Sequence, residues 1–226
     1  MRRGKRYKSV VEGYDQKAEY TIEEALEILE KFSAPKFDES VEAHVRLNIN
    51  PTKSDQQVRA TVDLPHGTGK TKRIAAFTET QEKEAKAAGA DIIAGTELIE
   101  KIVAGGEIDF DIAVTTPEMM PKLAKAARVL GPRGLMPNPK TQTVGPKIDV
   151  LIAGLKGGRA SFKNDNGANI HQVIGKRSFK KDQLKENFEV FIKEVQQNKP
   201  ATLKGRLLKS VSITSTMNPS IQVKIA

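Results

Sequence analysis

The sequence contains no cysteine and only three histidines in 226 residues. Without cysteine there is no disulfide and no thiolate metal site, which suits a reducing cytosol. His44, His66 and His171 are widely spaced and share no local carboxylate pattern, so no metal site is expected. No apolar run approaches the ~18 residues of a membrane span, and no signal-peptide core is visible. No internal repeat and no serine nucleophile elbow occur. Asp109 and Asp111 flank the start of a strand and read as turn and strand-edge residues rather than an acid/base pair. The expectation is a soluble cytoplasmic protein with no cofactor, no membrane partner and no enzymatic activity.

What the chain does have is positive charge, unevenly placed. It carries 37 Lys and Arg against 28 Asp and Glu, a formal +9. Residues 1–67 are net −1, residues 68–158 net +2 and residues 159–226 net +8. A basic final third points to a polyanionic partner. Arg2, Arg3, Lys5, Arg6 and Lys8 form a basic start that either touches a phosphate backbone or is a solvated tail.

The hydropathy pattern divides the chain. Thr21-Ile22-Glu23-Glu24 is a capping box, followed by a helix face of Ala25, Leu26, Ile28, Leu29 and Phe32. Val41, Ala43, Val45, Leu47 and Ile49 alternate with polar residues, as do Val58, Ala60, Val62 and Leu64, which predicts two half-buried strands. These cannot bury one another's apolar faces. Partners appear at the far end: a short strand over Ala160 to Lys163, a helix face of Leu184, Phe188, Phe191, Ile192 and Val195, and a closing hairpin with strands around Val211–Ser215 and Ile221–Ile225. The two chain ends, 1–67 and 159–226, thus build one split α+β domain. Between them strand and helix alternate: strands over 74–77, 91–94 and 112–115, helices over 81–88 and 97–104, and a helix opened by Thr116 with Pro117 at its first position. That pattern predicts a parallel sheet in an inserted α/β domain over 68–158. Gly67 and Gly69 on one crossing, and Gly154, Gly157 and Gly158 on the other, would permit hinge motion.

Gly67-Thr68-Gly69-Lys70-Thr71 ends like a phosphate-binding loop. The full pattern needs glycine where Leu64 stands, and a strand rather than a helix follows, so a nucleotide-dependent enzyme is disfavoured against a hinge. From Ala127 to Gly145 the chain holds three glycines and three prolines, spacing no helix can run through. Leu130, Leu135, Met136 and Val144 anchor it, so it reads as a long ordered surface loop presenting Arg128, Arg133 and Lys140. Phe37, between a helix and a strand, reads on residue type alone as core in preference to a base-stacking residue. The tip Thr214 to Ser220 is rich in hydroxyls, which serve either RNA contacts or ordinary turn chemistry.

Gly131-Pro132-Arg133-Gly134-Leu135-Met136-Pro137-Asn138-Pro139-Lys140 resembles the signature of the ribosomal L-one family of the large-subunit stalk. Lys36–Glu42, Leu64–Lys70 and Ser215–Ser220 match further family blocks in order, so the resemblance spans nearly the whole chain. It implies a split domain with a Rossmann-like, three-layer insertion. It implies a protein that binds stalk rRNA beside other large-subunit components, assists release of exit-site tRNA, and as a free monomer represses its own messenger by binding the leader. An RNA-binding regulator outside the ribosome is the alternative. The RNA-binding residues it implies are Lys36, Phe37, Ser40, Glu42, Ser210, Thr216, Met217 and Asn218. His171, Lys204 and Arg206 are added to that set, and Arg128, Arg133 and Lys140 are candidate tRNA or rRNA contacts in the insertion. Two departures stand out: Gln142 and Asn218 occupy positions where the family usually has glycine, and asparagine tolerates the positive φ such a turn would need.

Overall fold

The computed structural model describes residues 4–33 and 35–225. Arg2 and Arg3 of the basic start lie outside them. Among the described residues the strands are β1 (Glu19–Tyr20), β2 (Ser40–Leu47), β3 (Arg59–Asp63), β4 (Ile74–Phe77), β5 (Ile92–Ala94), β6 (Ile112–Thr115), β7 (Arg159–Lys163), β8 (Asn169–Lys176), β9 (Leu208–Ser215) and β10 (Ile221–Val223). The chain divides into two compact units, Met1–Gly69 with Ala160–Ala226, and Lys70–Arg159.

The first unit is built on a five-stranded sheet in the order β1-β10-β9-β2-β8. All neighbours are antiparallel except β1 and β10. Alternation decides which side is buried: Val41, Ala43, Val45 and Leu47 of β2, and Val211 and Ile213 of β9, point into one core. Helices Ile22–Lys31 and Lys181–Gln197 cover that side with Leu26, Leu29, Phe188, Phe191 and Val195. The pair β3–β7 adds Val62 and Phe162, and Phe162 meets Phe191 edge-on at 5.5 Å. Thr21 opens the first of these helices with both hydrogen bonds of the capping box in place. Asn187, fully buried on the second, accepts from the His66 amide and donates to the Gly67 and Ile174 carbonyls, strapping the Gly67–Gly69 turn to the helix.

The second unit holds a three-stranded parallel sheet, β5-β4-β6. All four residues of β4 are buried because both faces are covered. Ala75 and Phe77 join a core with Ile99, Ile102, Leu123 and Leu130; Ile74 and Ala76 join one with Ala85, Ile148 and Ile152. The protein is therefore mixed α/β with a three-layer insertion.

Several elements differ from the sequence expectation. Strand β8 was not anticipated, because Gln172 takes an inward position between Ile170 and Ile174 and interrupts the apolar alternation. Two helices also went unread, Lys5–Val11 at the basic start and Ile148–Lys156. Thr116 does not cap a helix with its side chain. The turn it opens is 3-10 (Pro117–Met119), and its hydroxyl is the buried side-chain oxygen without a partner among the described residues. The Ala127–Gly145 stretch is more ordered than a loop: Ala127–Leu130 is helical, Pro139–Thr141 is 3-10, and Val144 bridges to Thr115 of β6. Within it Gln142 sits at φ 49, ψ 37, the left-handed region that favours glycine.

Candidate nucleic-acid interface

The β9–β10 turn owes its shape to one buried carboxylate. Glu39 is fully buried just before β2. It accepts from Arg177 Nη1 at 2.8 Å, the Met217 amide at 3.0 Å, Asn218 Nδ2 at 3.1 Å and Ser215 Oγ at 3.3 Å. These donors use the carboxylate's acceptor capacity, which is what makes its burial tolerable. Arg177 also donates to the Glu30 and Phe32 carbonyls, so it ties the C-terminal end of helix Ile22–Lys31 to the same centre. Asn218 completes the set, with its Oδ1 accepting from Arg6 Nη2 at 2.7 Å and its Nδ2 also donating to Ser215 Oγ at 2.6 Å. A second clasp lies beside it: the Thr216 hydroxyl accepts from the Ser40 amide at 3.1 Å, and Lys176 Nζ donates to Ser40 Oγ at 3.0 Å.

This network leaves two large apolar side chains in solvent. Met217 is 55% exposed on the tip, and Phe37, two residues before Glu39, is 53% exposed. Phe37 is thus not core, contrary to the reading from residue type. Asn218 also differs from expectation. It is not among the positive-φ residues, and its side chain is turned inward as a structural tie rather than outward. Ser40 is buried with its hydroxyl taken by Lys176 and supports the patch from beneath.

From the tip, the outer face of the sheet runs as mainly polar rows fixed by register. Thr214, Glu42 and Val173 form the first row, Ser212, His44 and His171 the second, and Ser210, Arg46 and Asn169 the third. The structure so brings Glu42, His171 and Ser210 onto one face, contiguous with Thr216, Met217 and Asn218. Lys36 is exposed beside Phe37, and Lys204 and Arg206 are exposed in the segment leading to β9. Arg128, Arg133 and Lys140 are exposed in the second unit. The sequence alone offers Arg6 as a candidate phosphate contact and His44 as a polar-face residue that faces solvent or RNA; Glu39, Arg177, Ser212 and Arg46 are the residues of this region that it does not single out. Alternation alone places His44 and Arg46 on the polar side of β2; nothing local marks Glu39 as a hub, since its donors lie at least 138 positions away.

Two of the histidines, widely spaced in sequence, meet in the fold. His44 Nδ1 and His171 Nδ1 stand 2.8 Å apart across β2 and β8. Glu42 lies 3.8 Å from His44 Nε2, and Asp165 lies 3.6 Å from His171 Nε2. Burial first, and the neighbouring His171 second, push the His44 imidazole below its usual proton affinity, while Glu42 opposes them. The amides of Asn169 and Gly167 hold Asp165 below the ordinary carboxylate range, with the Asn169 amide the largest cause. No group of three potential metal ligands occurs among the described residues.

A split sheet with one polar face, carrying an insertion with a parallel sheet, is the architecture on which comparison with known proteins bears. The model of the ribosomal protein L1p/L10e family matches residues 29–219, and the chain belongs to that family. It is 48% identical over 224 residues to a protein of Nocardioides sp. named large ribosomal subunit protein uL1, covering 99% of this chain and 93% of that one. Proteins of the same name from Deinococcus radiodurans (47% over 224 residues) and Kosmotoga olearia (45% over 223) are each matched over 98% of this chain and 96% of their own length. The protein is a structural constituent of the large ribosomal subunit and not an enzyme.

Proposed function

We propose that the protein binds large-subunit rRNA of the stalk region through the β9–β10 tip and the outer sheet face of the split unit. The observation that carries this reading is the Glu39 hub. It spends a buried carboxylate and five donor contacts to hold Met217 exposed beside a row of hydroxyls. Exposed apolar side chains rimmed by polar groups suit an interaction surface, and hydroxyls held in fixed register suit 2′-hydroxyls and phosphates. Met217 and Phe37 exclude water, Thr216, Thr214 and Ser210 offer hydrogen bonds, and Lys36, Lys204 and Arg206 contact phosphates. Glu42 and His171 sit within the covered face. Lys176 and Ser40 brace the patch.

On the assembled subunit, Arg128, Arg133 and Lys140 of the second unit contact exit-site tRNA or rRNA, and this placement assists release of deacylated tRNA. As free monomer the same patch of the split unit binds the leader of the protein's own messenger and represses its translation. Binding to a stalk rRNA fragment and to the leader, measured with wild type and Met217→Asp, tests both. Loss of both affinities together in the variant is expected. Wild-type affinity in Met217→Asp would remove the tip from the interface.

A further inference from the structure

The His44–His171 pair of the middle row is the centre of a chain of four titratable groups: Glu42, His44, His171 and Asp165. The 2.8 Å contact between the two Nδ1 atoms has room for a single hydrogen, so one ring donates and the other accepts. Two imidazolium ions cannot keep that contact. Each outer nitrogen faces a carboxylate, at 3.8 and 3.6 Å. With both rings neutral the row carries two negative charges and no positive one, on a surface that must accept a polyanion. The remaining neighbours do not neutralise it: Ser212 is the β9 partner of His44, Val173 and Asn169 flank His171 on β8, Thr214 and Ser210 flank Ser212 on β9, and Arg46 is one row away. His66, the third histidine, is paired with Glu186 at 2.6 Å and belongs to another part of the unit.

We propose that this row is a proton-uptake site of the RNA interface: when a phosphodiester backbone docks on the sheet face, one proton is drawn onto the His44–His171 pair, and RNA binding tightens as pH falls. The inference rests on the reading that this face binds RNA. The physical cause is Coulombic. A nearby phosphate stabilises the imidazolium form and raises its proton affinity. In the free protein burial first, and the neighbouring imidazole second, hold the His44 proton affinity down, so a docked phosphate works against that bias and favours uptake on binding. By linkage the slope of log K against pH equals minus the number of protons taken up, here between zero and minus one. The window lies between the free and bound proton affinities, about pH 5.5 to 7.5 for histidine. Arg46, whose guanidinium has no proton to gain on binding, supplies the contrast.

The test is the affinity of the full chain for a stalk rRNA fragment at five pH values and constant salt. Wild type, His44→Gln with His171→Gln together, His66→Gln and Arg46→Ala are compared. Calorimetry of the wild type in two buffers of different ionisation enthalpy counts the protons directly and needs no variant. Wild type should tighten by about fivefold or more from pH 7.5 to 5.5, with uptake approaching one proton. The double variant should lose that slope, His66→Gln should keep it, and Arg46→Ala should bind more weakly at every pH with the slope intact. A flat wild-type profile with no proton uptake, or an unchanged slope in the double variant, overturns the inference while leaving RNA binding standing. A wild type that binds the fragment at no pH removes the RNA reading, and the inference with it.

Discussion

The two units both rest on a sheet, yet they expose different things. In the split unit helices cover one face only, so each strand divides its residues between a core and a polar lattice. In the inserted unit helices and turns cover both faces, and β4 has no exposed residue at all. A one-sided antiparallel sheet offers a broad surface whose chemistry is set by every second residue. A two-sided parallel sheet can act only through loops at its edges and strand ends. The candidate RNA contacts of the inserted unit, Arg128, Arg133 and Lys140, all stand exposed on its Ala127–Gly145 connection. Division of labour follows from which faces are covered.

Breaking the hub should give the largest effect. Glu39→Ala leaves Arg177 partly buried without its counter-ion and frees the tip, at a cost of about 3–5 kcal/mol in urea unfolding. Stalk rRNA affinity should fall by at least about a hundredfold, because the tip is no longer held. Unchanged stability would show that the hub is replaceable by water.

Next comes Met217→Asp, which places a carboxylate on a tip already centred on Glu39. Binding should weaken by about 2 kcal/mol or more through like-charge repulsion and a desolvated charge, with little change in melting temperature. A melting temperature lowered along with affinity would move Met217 from contact to structure.

Removing residues 70–159 and joining the ends with a short glycine linker sharpens the comparison. Affinity for the isolated fragment should stay within about tenfold, or about 1.4 kcal/mol, and Arg133→Ala in the full chain should barely alter it. A folded deletion protein without specific binding would show that the inserted unit shares the interface.

Asn218→Gly should cost about 1 kcal/mol of stability, since the ordinary φ at this position gives glycine no advantage and the bonds to Glu39, Arg6 and Ser215 are lost. Gln142→Gly should act the other way in the inserted unit. Relief of the left-handed backbone should stabilise it by up to about 1 kcal/mol, read from thermal melts. A loss there would mean that the Gln142 side chain carries more than its backbone strain costs.

Most elements were legible because their signals are local. The capping box at Thr21, the alternation in β2, β3, β9 and β10, and the strand–helix rhythm of the insertion each lie within a dozen residues, where pattern and geometry coincide. The glycine-favouring turn at Gln142 was also marked by its departure from the family pattern, and the backbone there supplies the reason. Strand β8 hid because Gln172 points inward, and Phe37 was misplaced because residue type says nothing of whether a partner will cover it.

The sequence by itself determined the periodicities, the excess of positive charge and the family blocks, all properties of neighbouring residues. Only the tertiary structure decided that Glu39 should meet Arg177, Ser215 and Asn218, and that His44 should meet His171 across 127 positions. The physical reason is that charge burial and proton sharing are settled by partners at about 3 Å, and strand register, not sequence distance, chooses those partners.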